Sequence, residues 1–178
     1  MLQPSFSVRH AILQTMRRCE SLARQSADKW VTYDGEMTAP YDLNRFIEAQ
    51  QGVYEDVVDE LNRGRKTGHW IWYIFPQIAG LGASSMSQRY SISSIEEAGA
   101  YSAHSVLGPR LAECTALVLE VKDRSAEQIF GPLDALKFRS CMTLFAAAAP
   151  DNKIFQNAID CCFEGLPDPL TLQTLNSA

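Results

Sequence analysis

Apolar residues recur at helical spacing along most of the chain after residue 41. Between Asp42 and Gly64 they fall three or four positions apart, as expected for the buried face of a helix, and the glycine with its basic neighbours ends the segment. We predict that Asp42 caps the start of this helix, because its side chain can accept a backbone N–H of the first turn. The other face carries the acids Glu48, Glu55, Asp56, Asp59 and Glu60, which is typical of a face in water.

Capping and stop residues predict the helices that follow. The segments Ser94–Glu97 and Ser125–Gln128 both have the capping-box pattern, in which a serine and a Glu or Gln three residues later satisfy each other's backbone N–H groups. The most apolar helix is predicted over residues 132–150, between two prolines. Asp151 is predicted to cap the next helix, and Asp168 with Pro169 to begin the last one.

The densest aromatic segment lies within this series of helices. Four aromatic residues fall between positions 70 and 75, after His69 and before Pro76 and Gln77. Their propensity favours a strand, but no second alternating segment is present to pair with one, and an unpaired strand would leave backbone groups without hydrogen bonds. We therefore predict a short buried helix over Trp70–Phe75 that Pro76 ends.

About eight helices and no convincing strand predict an all-α fold, with a single compact multihelical domain over residues 41–178. Residues 1–40 differ from the rest, since a stripe of apolar residues lies beside several arginines and few acids. We predict an additional amphipathic N-terminal helix followed by a linker. Organelle transit peptides share this pattern, and that alternative stays open.

Composition and charge narrow the class of protein. With 178 residues, of which 46% are hydrophobic, the chain has the size of one domain with a substantial core. The formal net charge of -5 argues against a broad nucleic-acid surface. No apolar run approaches the roughly 20 residues of a membrane span. Five cysteines without regular spacing or a secretory signal favour reduced thiols, so we expect a soluble cytoplasmic protein.

Established catalytic and metal-binding motifs are not found. The three histidines, His10, His69 and His104, are far apart, and no paired Cys-x-x-Cys or His-Glu-x-x-His sequence occurs, so neither a metal nor a cofactor is predicted. The segment Gly80–Ser84 lacks the preceding strand and third glycine of a dinucleotide loop. We predict that its glycines permit a tight turn.

Polar residues near the aromatic segment are the candidates for a binding site. His69 is the candidate for acid–base chemistry, and Trp70 could stack on a ring of a ligand. Arg110, in the first turn of its helix, and Lys137 and Ser140, on one side of the most apolar helix, could bind an anion, because a cation on a central helix needs a partner.

Each candidate also has a simpler interpretation. His69 could hydrogen-bond the backbone at a helix start, and most of the aromatic rings could be core. Arg110 and Lys137 could form ion pairs with acids such as Glu113 or Asp134.

These residues also carry a family resemblance. From about Tyr41 to Leu175 the sequence resembles the domain-of-unknown-function family 1810. The matching pieces are Asp42–Phe46, Tyr54, Gly68–Gln77, Gly80–Gly82, Ser87, Tyr90, Ala98, Tyr101, His104, Leu107–Leu111, Ile129–Gly131 and Lys137–Phe145. The resemblance implies a compact multihelical domain and brings no established activity. Some members carry the label calpastatin, but inhibitors of that kind are disordered repeat chains, unlike this packed sequence.

Two functional hypotheses follow. The first is a polar pocket that holds a small anionic or nucleotide-like ligand, with or without chemistry on it. The side chains predicted to line it are His69, Trp70, Gln77, Tyr90, Arg110, Lys137 and Ser140. The alternative is a non-enzymatic module that docks a protein partner through an aromatic surface. Neither a membrane nor a nucleic acid is expected as a partner, the latter because of the net charge.

Overall fold

The structure, a computed structural model, describes residues 41–177, and this part of the chain folds into ten α-helices. In chain order they are α1 (Asn44–Gln50), α2 (Tyr54–Asn62), α3 (Ile71–Ile74), α4 (Ser85–Arg89), α5 (Ile95–Ala103), α6 (Leu107–Glu120), α7 (Ala126–Phe130), α8 (Pro132–Ala148), α9 (Ile154–Phe163) and α10 (Pro169–Ser177). The predicted all-α fold is confirmed. The predicted N-terminal helix and linker in residues 1–40 lie outside the described residues.

Helix α8 is the central element. Every residue from Ser140 to Phe145 is buried, and so is Phe138. Helices α5, α7, α9 and α10 pack around it, and α3 contacts it as well. The ring of Phe138 meets that of Phe75 edge-on with 4.8 Å between centres, and Phe145 lies 5.4 Å from Tyr101. A helix that is apolar on nearly all sides is thus buried on nearly all sides over its central turns.

The aromatic segment forms the short helix α3, as predicted. Ile71–Ile74 is helical, Phe75 follows it, and Pro76 stands outside. Trp72 and Tyr73 remain only partly buried on α3. No strand occurs between residues 41 and 177, where a single parallel bridge joins the loop after α3 to the segment before α5. The aromatic residues therefore form the wall of a helical core and not a sheet.

Two of the predicted N-caps are wrong. Of the two predicted capping boxes, the one at Ser125–Gln128 is complete and the one at Ser94–Glu97 is formed in part. Asp42 and Asp151 do not cap α1 and α9, which begin two and three residues later, because the residue before each helix already has helical dihedrals. Both halves of the box are present at Ser125–Gln128. At α5 the Ser94 hydroxyl accepts from the amide of Glu97, whose carboxylate binds Arg45 at 2.5 Å.

The first predicted helix is divided into α1 and α2. Gly52 lies in the turn between them with a φ of 78°, a conformation that suits glycine. The division changes the direction of the chain between Gln50, at the end of α1, and Tyr54, at the start of α2. Both residues belong to the candidate site described below.

Helices α5 and α6 meet where two backbones approach closely. A Cβ atom placed on Gly108 would lie 2.0 Å from the carbonyl oxygen of Ser102, so only glycine fits. This contact positions the first turn of α6, which carries Arg110. Among the helices of residues 41–177, none combines the length and hydrophobicity that crossing a membrane requires.

Replacing Gly108 with alanine is expected to destabilise the domain by about 1–3 kcal/mol, because the added methyl group forces two helices apart. Gly99→Ala is the matched control, since Gly99 also lies within a helix but has open space where the methyl group would be. That variant should be unchanged or up to about 1 kcal/mol more stable. Urea unfolding of both variants measures the difference in their free energies of unfolding. Equal free energies would contradict the close approach of Gly108 to the carbonyl of Ser102.

Candidate functional site

Two polar networks contact α3 or the segment that leads into it. The first, here called the lysine network, consists of Glu60, Lys66, Trp70, Asp134 and Lys137. The second, here called the arginine network, consists of Gln50, Tyr54, Tyr101, Arg110 and Glu113. They differ in whether their cations are paired with carboxylates.

Glu60 fixes the segment that enters α3. Its side chain is on α2, and the residue is only 8% exposed. The carboxylate accepts the amides of Thr67 and Gly68 at 2.6 and 2.9 Å and the indole N–H of Trp70 at 2.8 Å. Three donors to one buried carboxylate hold this segment in a single conformation.

Asp134, in the first turn of α8, joins two lysines. Its oxygens lie 2.8 Å from Nζ of Lys66 and 2.7 Å from Nζ of Lys137. Burial acts to raise the pKa of Asp134, but the hydrogen bonds and charges of the two lysines outweigh it and lower that pKa. The ammonium group of Lys137 also lies 4.6 Å from the centre of the Trp72 ring. The simpler interpretation of Lys137, an ion pair with Asp134, is therefore correct.

Gln50 orients the guanidinium group of Arg110. Gln50 is 1% exposed, and its amide nitrogen donates to the carbonyl of Tyr73 at 2.8 Å and the hydroxyl of Tyr101 at 3.2 Å. These two bonds fix the amide so that its oxygen accepts from Nη1 of Arg110 at 3.1 Å. A buried amide with all its groups satisfied holds the arginine in a defined direction.

The charge of Arg110 has no carboxylate partner among residues 41–177. Its guanidinium carbon lies 4.3 Å from the centre of the Tyr54 ring, a cation–π contact. The hydroxyl of Tyr54 donates to Glu113 at 2.7 Å, and no acidic oxygen of the described chain lies within 4 Å of the guanidinium nitrogens. Burial, with Cys114 and Glu113 nearby, raises the pKa of Tyr54 far above its usual value. The ion pair with Glu113 is therefore not formed.

Three of the seven predicted site residues belong to these networks, and a fourth packs against Tyr73, whose carbonyl accepts from Gln50. Trp70 and Lys137 lie in the lysine network and Arg110 in the arginine network. Tyr90 is buried with its ring centre 5.4 Å from that of Tyr73. Arg110 and Lys137 thus belong to different networks, and their binding of a common ligand stays a prediction.

The other three predicted residues lie elsewhere. His69 is exposed, and its side chain makes no hydrogen bond or ion pair to the part of the chain that the structure describes. Gln77 contributes its backbone carbonyl, which accepts from the amide of Ile92 at 2.8 Å. Ser140 is buried and donates to the carbonyl of Leu136 in its own helix at 3.1 Å. Their roles in binding stay predictions.

Two residues of the networks were missed or misassigned by sequence reasoning. Glu60 was placed on the face in water, yet it is buried. The signal was its position three residues after the buried Val57, on the same side of α2. Gln50 fell at an apolar spacing in α1, and a polar residue at a core position points to a buried hydrogen-bond network.

Comparisons with known proteins agree with the motif resemblance. Residues 40–175 match the model of a family described as protein of unknown function, DUF1810. The chain belongs to this family. It is similar to the conserved hypothetical protein Rv1873 from Mycobacterium tuberculosis, known from a crystal structure, with 52% sequence identity and a TM-score of 0.76. The match covers 78% of this chain and 99% of that one. No curated protein matches the chain significantly.

Acid unfolding tests the role of Glu60. Burial alone would raise its pKa, but the hydrogen bonds from Thr67, Gly68 and Trp70 lower it to about 2. Since the folded pKa lies below the unfolded one, the stabilisation is complete above about pH 4.5 and is lost as the pH falls toward 2, by about 3 kcal/mol in total. Glu60→Gln should lack this loss and be less stable at pH 7 by about 1–3 kcal/mol.

The measurement is urea unfolding of both proteins at pH 7 and pH 3. Glu48→Gln serves as the control, because it removes an exposed carboxylate that makes no hydrogen bond or ion pair within residues 41–177. It should keep the stability and the pH dependence of the wild type. An equal loss of stability in wild type and Glu60→Gln on acidification would contradict the role given to this carboxylate.

Proposed function

We propose that this domain binds a small anionic ligand, through a carboxylate or phosphate group, at the guanidinium of Arg110. One observation carries the proposal: Gln50 holds this half-buried guanidinium in place, and no carboxylate of residues 41–177 neutralises it. A charge withdrawn from water without a partner costs free energy, which an anionic ligand would recover.

The remaining donors of Arg110 suit such a ligand. Only Nη1 is engaged by a side chain of the described residues, so Nε and Nη2 are left to donate. These two groups form the planar fork that binds a carboxylate or phosphate through two parallel hydrogen bonds. The orientation is set before binding, which lowers the entropy lost when the ligand arrives.

Aromatic neighbours support a ligand with a planar part, such as a nucleotide. The ring of Tyr54 already lies against the guanidinium, and Tyr73, whose backbone carbonyl accepts from Gln50, is only partly buried. Bases stack on such rings.

The alternative, a protein-interaction module with an aromatic surface, has weaker support. Trp70 is 3% exposed, and its indole N–H is bound by Glu60. Trp72 is partly buried, with the ammonium of Lys137 over its ring. Little of the aromatic segment is therefore left to make a flat apolar contact.

A thermal-shift screen of nucleotides, phosphorylated metabolites and dicarboxylates tests the proposal. A ligand present at 100 times its Kd should stabilise the wild type by about 2.7 kcal/mol and raise its unfolding midpoint. Arg110→Gln should weaken binding by about tenfold to a hundredfold, because one charged pair of hydrogen bonds is lost. Arg110→Lys should retain part of the affinity, since it keeps the charge but not the fork.

Arg65→Gln is the matched control, because it removes the same charge from an exposed arginine whose side chain makes no bond within residues 41–177. It should keep the full shift. The proposal fails if no compound raises the midpoint of the wild type, or if the shift survives in Arg110→Gln while circular dichroism shows that variant to be folded.

A further inference from the structure

A depression lies where the ends of α2 and α6 meet. It has a volume of about 350 Å³. Its lining consists of Asn62, Arg63, Gly64, Leu117 and the segment Glu120–Arg124. None of the residues of the arginine or lysine network takes part, so this is a separate feature of the surface, here called the basic depression.

Three cations line the basic depression: Arg63, Lys122 and Arg124. Glu120 and Asp123 also line it, yet no carboxylate within the described ranges lies within 4 Å of any of the three cationic groups. All three side chains are exposed, and with two acids on the same lining they leave it a small excess of positive charge, in a chain whose net charge is -5. An anion bound among the three cations would offset their mutual repulsion.

Backbone carbonyls hold these cations in place. Arg63 donates from Nε to a carbonyl of α2 at 3.0 Å, and Lys122 donates from Nζ to a carbonyl of α6 at 2.7 Å. Arg124 donates from Nη1 to the carbonyl of Gly64 at 3.1 Å. The charges thus offset the negative ends of two helices, which would otherwise repel an anion. Each cation uses one donor in this way and keeps others.

The floor of the basic depression is a tight turn. Gly64 has a φ of 63°, and a Cβ atom there would lie 3.0 Å from a methyl carbon of Val121. Gly64 therefore packs directly against the chain that leaves α6, and its carbonyl stays within reach of Arg124. Lys122 and Arg124 stand on the loop that leaves α6, and the contact of Gly64 with Val121 sets where that loop packs.

We propose that the basic depression binds a compact polyphosphate group, such as pyrophosphate or the diphosphate of a phosphorylated metabolite. Its volume lies in the usual range for small-molecule sites, about 300–1,000 Å³. Three cations with unused donors suit several phosphate oxygens at once. The carboxylates of Glu120 and Asp123 limit the site to a compact ligand, because an extended nucleic acid strand needs a continuous basic surface.

The test is a titration of the ¹⁵N-labelled full chain with sodium pyrophosphate, followed by NMR. The expected result is saturable shifts of the amide signals of Gly64 and of residues 121–124, with weaker binding of orthophosphate. The double variant Arg63→Gln/Arg124→Gln should bind pyrophosphate at least about tenfold more weakly, since two charged donors are removed. Lys153→Gln, which removes a charge from an exposed lysine far along the chain, should bind as the wild type does.

Three results would overturn this proposal. One is the absence of saturable shifts at these amides in the wild type, which decides the matter even if the double variant does not fold. Another is an unchanged affinity in a folded double variant. In the last, a short single-stranded oligonucleotide shifts the same amide signals at a lower concentration than pyrophosphate does. The basic depression would then be a nucleic acid surface.

Discussion

The carboxylate of Glu60 accepts three N–H groups from the segment that leads into α3, and much of the fold depends on that arrangement. It places Trp70 in the core, where its ring packs against Phe75 and Phe130. It also fixes Gly68, whose carbonyl accepts from Lys66. Because Lys66 pairs with Asp134, the same interaction connects α2 and the entry to α3 with the first turn of the central helix α8.

Helix α3 has only four residues, too few to be stable on its own. Its geometry depends on what surrounds it. Glu60 fixes its entry, and the bridge between Ile78 and Ile92 fixes the loop beyond it. The Tyr73 carbonyl of this anchored helix accepts a hydrogen bond from the amide of Gln50 and so orients it. The oxygen of that amide in turn accepts from Arg110. The candidate anion site is thus a consequence of how the aromatic segment is anchored.

Two cations of similar appearance in the sequence have different environments. Lys137 pairs with Asp134 one turn away on the same helix, a carboxylate that it shares with Lys66. Arg110 lies three residues from Glu113, a spacing that permits an ion pair, but Glu113 accepts from Tyr54. The free energy of an exposed ion pair is small, about 0–1 kcal/mol, so small differences in packing decide whether one forms. Spacing on one helix therefore predicts that two charges can meet, not that they do.

The sequence by itself determined the all-α class, most helix boundaries from α3 onward, the short helix at the aromatic segment and the family. These features depend on local rules: apolar spacing, capping pairs and glycine or proline at helix ends. Only the tertiary structure decided that Glu60 is buried, that Gly52 divides the first helix, and that Gln50 orients Arg110. It also decided that Lys137 pairs with Asp134, while Arg110 has no carboxylate partner among residues 41–177. Each of these depends on contacts between residues distant in the chain or on the exact direction of a helix, and the identity of neighbouring residues does not fix either.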